Sequence, residues 1–173
     1  MKLVIGNKNY SSWSMRPWVA MRHFGIAFDE VRLRLDFTRG SAFYRELARF
    51  TSAGQVPVLV DDDGFAVWDT LAIVETLAER FPQHALWPAD AKARARARSV
   101  CAEMHAGFAA LRDACPQNIE ARLPAVGARV LAEQPAVRAD LGRIVAMWRD
   151  ALAASGGPVL FGGFGAADAY FAP

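Results

Sequence analysis

The hydrophobic pattern of this 173-residue chain changes near residue 82, and this change constrains the fold more than any other feature. Before that point, short apolar runs with the two-residue period of strands alternate with segments whose apolar residues recur every three or four positions. After it, residues 91–155 show no strand-like alternation and are rich in Ala, Leu, Arg and Glu. The sequence therefore predicts an α/β half followed by an all-α, helical half.

Seven elements are predicted in the first half, in the order β-α-β-α-β-β-α. Gly25 is expected to close the first helix, and Ser14 is expected to cap its start. A turn at residues 61–64 joins the last two strands into a hairpin. The predicted ranges are 2–6, 14–24, 28–35, 41–50, 58–60, 65–68 and 70–81.

Residues 82–90 contain two prolines and no periodic pattern, which is typical of a linker. We therefore expect a domain at residues 1–81, a linker at 82–90 and a helical domain at 91–173. A further helix is predicted to begin after Gly165, but the sequence ends five residues after Asp168. Because helices are usually longer than this, we expect the helical domain to be incomplete.

Composition excludes several classes of function. A net charge of +2 is too small to indicate nucleic acid or an anionic membrane as the partner. No run reaches the roughly 18 apolar residues of a membrane span, and no export signal opens the sequence. The two cysteines, Cys101 and Cys115, are not spaced as a redox or metal motif, and His23, His84 and His105 have no ligand-like neighbours. We expect a cytoplasmic protein without a metal.

A cluster of hydroxyl side chains follows the first strand. Tyr10, Ser11, Ser12 and Ser14 lie where the first helix begins, and a hydroxyl at a helix N-terminus can stabilise an anion. A plainer interpretation is that Ser12 and Ser14 cap the helix while Ser11 belongs to the loop. No cysteine occupies this loop, so a mixed-disulfide mechanism lacks its nucleophile.

Three other landmarks complete the pattern. Gln55-Val56-Pro57 precedes the third strand, Asp69-Thr70 opens the third helix, and residues 164–168 (Phe-Gly-Ala-Ala-Asp) lie in the helical half. In this order and spacing, the four landmarks resemble the soluble glutathione S-transferases over essentially the whole chain. The resemblance implies a thioredoxin-like N-terminal domain, glutathione as cosubstrate, a hydrophobic electrophile as acceptor, a role in detoxification and a homodimer.

The resemblance also implies roles for individual residues. In serine-type members, such as the zeta and theta classes, the first serine of the cluster donates a hydrogen bond to the glutathione sulfur. This position corresponds to Ser11; Tyr10 is the second candidate and Ser12 the third. Zeta-like maleylacetoacetate isomerases have a cysteine where this chain has Trp13, which makes that isomerase activity less expected.

The remaining implied contacts hold the tripeptide. A cis bond before Pro57 would turn the backbone N–H and C=O of Val56, next to Gln55, outward to pair with extended glutathione. Thr70 would hold the γ-glutamyl carboxylate and Asp69 the α-ammonium group, although either residue can also be a simple helix cap.

Two further points follow from the resemblance. Asp168 is expected to bond back to the start of its helix, which is a folding signature without a catalytic role. A non-catalytic binding or scaffold protein with the same fold is the alternative function.

Overall fold

The computed structural model describes residues 1–173 and contains the predicted α/β half followed by helices. The first half consists of β1 (Lys2–Ile5), α1 (Ser12–His23), β2 (Asp29–Arg32), α2 (Ala42–Leu47), β3 (Val58–Val60), β4 (Ala66–Trp68) and α3 (Thr70–Arg80). A short 3-10 turn, Pro82–His84, follows. The second half consists of α4 (Ala91–Ala106), α5 (Ala109–Ala114), α6 (Pro124–Glu133), α7 (Pro135–Ser155) and α8 (Ala166–Phe171).

The four strands form one mixed sheet in the order β2-β1-β3-β4. β1 is parallel to β2, whereas β3 is antiparallel to both of its neighbours. This arrangement, with the helices around it, is the predicted thioredoxin-like α/β half. The hairpin is confirmed by the register of β3 and β4, in which Leu59 lies opposite Val67.

Alternate residues of the sheet pack into different cores because successive side chains point to opposite faces. Leu3 and Leu59 belong to a large core that also contains residues of α1, α3 and the helical half. Val4 and Val58 belong to a smaller core that α2 closes with Phe43 and other apolar residues. The sheet is therefore covered on both faces, and its larger core joins the two halves of the chain.

Two details of the elements differ from the predictions. Helix α1 begins at Ser12 with Ser11 as its N-cap, so the expected cap at Ser14 is wrong. The second strand covers only residues 29–32 because β1, its partner, offers just four paired positions.

The proposed linker, residues 82–90, contains the 3-10 turn, and its Trp87 is part of the large core. The division into domains at residues 1–81 and 91–173 stays a prediction.

At the start of α8, the Asp168 side chain bonds back to the backbone N–H of Gly165, the N-cap of the helix, as predicted. The Asp168 carboxylate accepts hydrogen bonds from the Gly165 N–H at 2.9 Å and the Leu160 N–H at 3.0 Å. A side chain at Gly165 would not fit, because its Cβ would lie 2.9 Å from the carbonyl oxygen of Leu86. Close packing against the segment before α4 explains why this N-cap position holds a glycine and not the serine or threonine that is usual at helix N-caps.

None of the helices combines the length and apolar character needed to cross a membrane.

Candidate functional site

One cavity, of about 490 Å³, brings together all the site residues predicted from the sequence. We call it the first cavity. Its walls come from the loop before α1, the segment before β3, the start of α3 and the end of α4. The predicted residues lining it are Tyr10, Ser11, Ser12, Gln55, Val56, Pro57, Asp69 and Thr70, and the others are Trp13, Leu35, Phe37, Phe43, Gly54 and His105.

Ser11 is held firmly at the N-terminus of α1. It is buried, its Oγ lies 2.8 Å from the Ser14 Oγ, and it accepts a longer bond of 3.4 Å from the Ser14 N–H. The Gly6 N–H at the end of β1 donates to the Ser14 Oγ at 3.1 Å. Strand β1 therefore fixes Ser14, and Ser14 fixes the hydroxyl of Ser11 beside the unpaired N–H groups of the helix start.

The other two hydroxyl candidates are held less tightly. Tyr10 is 57% exposed, and Ser12, the first residue of α1, is partly exposed. Neither hydroxyl makes a hydrogen bond to another side chain. Among the three candidates, Ser11 is the one whose orientation the fold determines.

An open backbone edge lies across the cavity from these hydroxyls. The Val56-Pro57 peptide bond is cis, as expected, and a second cis bond precedes Pro158, which the sequence did not suggest. Neither the N–H nor the C=O of Val56 makes a hydrogen bond within the chain. An extended peptide can pair with such free groups as an added strand.

The start of α3 forms the third part of the cavity. Asp69 caps this helix: its Oδ1 accepts a hydrogen bond from the Leu71 N–H at 2.9 Å. Its φ of 74° lies in the left-handed region, which residues other than glycine seldom adopt. The buried Thr70 donates its hydroxyl to the Trp13 carbonyl at 3.4 Å. Thr70 thus joins α3 to α1, and the helix N-terminus offers backbone N–H groups to an anion.

His105 is a cavity residue that the sequence did not reveal. Its Nε2 lies 3.3 Å from the Asp69 Oδ2, and its ring contacts Trp13 edge to face with 5.1 Å between centroids. Residue spacing along the chain gave no indication of this carboxylate neighbour. The pair forms because α4 packs across the start of α3, a contact between residues distant in sequence.

A second cavity, of about 430 Å³, adjoins the first and shares Tyr10, Ser12 and Trp13 with it. Its remaining walls come mostly from the helical half. The apolar side chains that line it are Met104, Phe108, Leu111, Leu141, Ile144, Trp148 and Phe171. Trp13 therefore stands between a cavity with a free backbone edge and one lined mostly by residues of the helical half.

Comparisons with known proteins agree with this architecture. Residues 10–80 match the family model described as the glutathione S-transferase N-terminal domain. A maleylacetoacetate isomerase of Pseudomonas aeruginosa is 31% identical over 121 residues, which cover 69% of this chain and 55% of the relative. Residues 10–80 thus match the N-terminal domain of the glutathione S-transferases, and the chain is similar to members of that superfamily.

Other members extend the comparison. A zeta-class glutathione S-transferase of Euphorbia esula is 34% identical over 80 residues, covering 46% of this chain and 34% of that protein. A glutathione transferase homologue from Burkholderia, solved with bound glutathione, shares the fold with a TM-score of 0.70 and 22% identity, over 98% of this chain and 76% of that one. The chain thus spans about half, or less, of the length of the curated relatives it matches.

Proposed function

We propose that this protein is a glutathione transferase that binds glutathione in the first cavity and joins its sulfur to a hydrophobic electrophile in the second. One observation carries the proposal: a fixed hydroxyl at Ser11, a free backbone edge at Val56 and the N-terminus of α3 line the same cavity. These three groups match the thiol, the peptide backbone and the γ-glutamyl carboxylate of an extended tripeptide. We also propose a cytoplasmic location.

Glutathione would be held by its backbone and by its γ-glutamyl end. The free N–H and C=O of Val56 pair with the cysteinyl residue of the tripeptide. The γ-glutamyl carboxylate lies at the start of α3, where the helix dipole favours negative charge. The α-ammonium group approaches the Asp69 carboxylate, whose Oδ2 already faces His105.

Ser11 then stabilises the thiolate. In the structure the Ser11 hydroxyl donates to the Ser14 Oγ, but a serine hydroxyl can rotate, and Ser14 can donate in the reverse direction. This reversal turns the Ser11 proton toward the sulfur. A hydrogen bond to the charged form lowers the pKa of a thiol from about 8.5, and a drop of two units corresponds to about 2.7 kcal/mol.

The chemical step is nucleophilic attack by the thiolate. The thiol gives its proton to solvent, and the sulfur uses an electron pair to form a bond to the electrophilic carbon. A leaving group departs with the electrons of its own bond, or, in an addition, the neighbouring atom takes up a proton. The protein contributes ionisation and orientation of the two reactants across Trp13.

Replacing Ser11 tests the proposal. We expect Ser11→Ala to keep glutathione binding but to raise the pKa of bound glutathione by about one to two units. The ultraviolet absorbance of the thiolate, measured against pH, reads this directly. Because alanine also removes the helix cap, Ser11→Gly is a second variant: glycine caps almost as well but has no hydroxyl. Ser99→Ala, on the exposed face of α4, is the matched control.

Three results would contradict the proposal or part of it. If Tyr10→Phe raises the thiol pKa and both Ser11 variants do not, Tyr10 is the donor. If the protein is retained on glutathione-agarose but turns over no electrophile from a panel, it is a glutathione-binding protein without transferase activity. Absence of both retention and turnover would remove the glutathione assignment.

A further inference from the structure

Two arginines flank Trp13 in the second cavity. The guanidinium carbon of Arg16 lies 4.3 Å from the centroid of the Trp13 ring, and that of Arg112 lies 4.6 Å from it. Arg16 comes from α1 and Arg112 from α5, so the two halves of the chain each supply one positive charge. Both residues line the second cavity and neither lines the first.

Arg16 is an unusual arginine because it is only 2% exposed. Its Nε donates to the Tyr170 carbonyl at 2.9 Å, but its Nη1 is buried and has no hydrogen-bond partner. Burial, together with the nearby charge of Arg112, lowers the pKa of Arg16 to about 10. The side chain is thus still positively charged near neutral pH and carries an unsatisfied donor.

Arg112 also lacks a countercharge. Its Nε donates to the Gly107 carbonyl at 3.0 Å and its Nη2 to the Met104 carbonyl, so both partners are neutral. No Asp or Glu side chain lines the second cavity, and neither arginine is within 4.0 Å of a carboxylate.

Three arginines elsewhere in the chain are neutralised by close ion pairs. Ion pairs join Arg80 to Asp61, Arg98 to Glu75 and Arg143 to Glu103. Arg16 and Arg112 of the second cavity, by contrast, have no ion pair of this kind. Partly buried like charges are costly unless an anion approaches them.

We infer that the acceptor of this transferase carries a carboxylate, which Arg16 and Arg112 bind while its apolar body packs on Trp13 and the helical half. This inference rests on the proposed function and names the substrate class of its second cavity. A guanidinium suits a carboxylate because it offers parallel N–H donors in a planar fork. The electrophilic carbon would then lie toward the Ser11 side of Trp13.

A matched pair of electrophiles tests the inference. We would measure kcat/KM for 4-chloro-3,5-dinitrobenzoate and for its uncharged carboxamide, each divided by its rate with free glutathione. The native protein should prefer the carboxylate by about tenfold or more, since hydrogen bonds between charged groups contribute at this level. Added salt should reduce the preference, because the charge of the partly exposed Arg112 is screened by ions.

Substitutions at Arg112 test whether this arginine causes the preference for the carboxylate. Arg112→Gln should lower kcat/KM for the carboxylate about tenfold while changing that for the carboxamide less than about twofold. Arg112→Lys keeps the charge and should retain part of the preference. Arg149→Gln, which removes the same charge from an exposed position on α7 outside the cavity, should change neither value. If Arg112→Gln does not fold, the inference is still tested by two measurements on the native protein: its preference for the carboxylate over the carboxamide, and the effect of salt on that preference.

Direct binding separates this inference from the proposed function. Calorimetry with the unreactive 3,5-dinitrobenzoate and 3,5-dinitrobenzamide needs no turnover. Selective binding of the carboxylate without conjugation would support the anion site and reject the transferase. Conjugation of both electrophiles at equal normalised rates would overturn the anion site and leave the transferase intact. Loss of glutathione affinity in Arg112→Gln would also overturn it, because the arginine would then serve the tripeptide.

Discussion

Ser14 links the backbone of β1 to the proposed thiol donor. Its Oγ accepts the Gly6 N–H and lies 2.8 Å from the Ser11 Oγ, so it can influence the bound thiol only by orienting Ser11. Hydrogen bonds in such chains strengthen one another. Ser14 is therefore a positioning residue whose removal should weaken, and not abolish, thiolate formation.

This role gives a prediction for paired substitutions. Ser14→Ala should raise the pKa of bound glutathione by less than Ser11→Ala does, and the double variant should raise it no further than Ser11→Ala alone, because the effect of Ser14 passes through Ser11. Thiolate absorbance against pH measures all three. A purely structural Ser14 would lower the stability of the protein, by about 1–3 kcal/mol for the buried Gly6 N–H left unpaired, without moving this pKa.

At the residue scale, the sequence indicated which residues share a cavity where their placement depends on local order, and it missed residues whose contacts depend on distant partners. The eight predicted residues meet in one cavity because they all lie where an element begins or ends around a single sheet. The cap at Ser11 was missed because Ser11, Ser12 and Ser14 are chemically equivalent caps. His105 and Arg112 were missed because their partners, Asp69 and Trp13, come from another part of the chain.

Among the elements, the β3–β4 hairpin and α3 are joined by a paired salt bridge. The Arg80 Nη1 and Nη2 lie 2.5 Å and 2.6 Å from the two Asp61 carboxylate oxygens. This pair fixes the last residue of α3 to the end of β3, and so helps to hold the first residue of α3 at the first cavity. The hydrogen bonds from Arg80 hold the pKa of the Asp61 carboxyl below its usual value.

A pKa lowered by folding makes stability depend on pH. Asp61 stabilises the protein while it is ionised in the folded state, and this contribution is lost as the pH falls through its folded pKa. Asp61→Asn should therefore lower the free energy of unfolding at pH 7 by about 1 kcal/mol or less, because the pair is partly exposed. Below the folded pKa the variant and the native protein should be equally stable.

Urea unfolding at a series of pH values measures this difference. Asp113→Asn is the control, since Asp113 is exposed and makes no hydrogen bond or ion pair through its side chain. A difference for Asp61→Asn that persists unchanged at low pH would show that the asparagine acts by altered packing and not by lost charge.

Element types were predictable because each apolar period is local, whereas element ends depend on neighbours. Alternation of Val31, Leu33 and Leu35 with arginines predicted a strand over residues 28–35, yet β2 stops at Arg32 because β1 ends opposite it. Leu33 remains buried under the smaller core without being part of the strand. The length of a strand is thus set by its partner and not by its own pattern.

In the whole molecule, the larger core passes from the sheet into the helices. Leu3 and Leu59 of the sheet share it with Cys101 of α4 and Tyr170 of α8. Burial raises the pKa of the Cys101 thiol, so this cysteine is a packing residue without nucleophilic character. Contacts across such a core cannot be read from one segment at a time, which is why the sequence predicted two halves but not how closely they pack.

Aromatic side chains at the free edge of the sheet point to association of two chains. β4 is an edge strand, and beside it Phe65 is 61% exposed and Trp68 is 48% exposed. Exposed aromatics grouped at one edge are typical of interfaces, where such residues contribute most of the binding energy. We therefore predict that the protein is a homodimer through this edge, in agreement with the expectation from its family.

Sedimentation velocity of the native protein and of Phe65→Glu tests this prediction. The buried charge should raise the dimer dissociation constant by about 30-fold, the effect of losing one strong interface residue. Val126→Glu, at an exposed apolar residue of α6 away from the sheet edge, should leave the dissociation constant unchanged. Equal weakening by both variants would place the interface elsewhere, and a native protein that sediments as a monomer at micromolar concentration would exclude the dimer. Since both cavities are built from one chain, a monomeric Phe65→Glu variant should still bind glutathione.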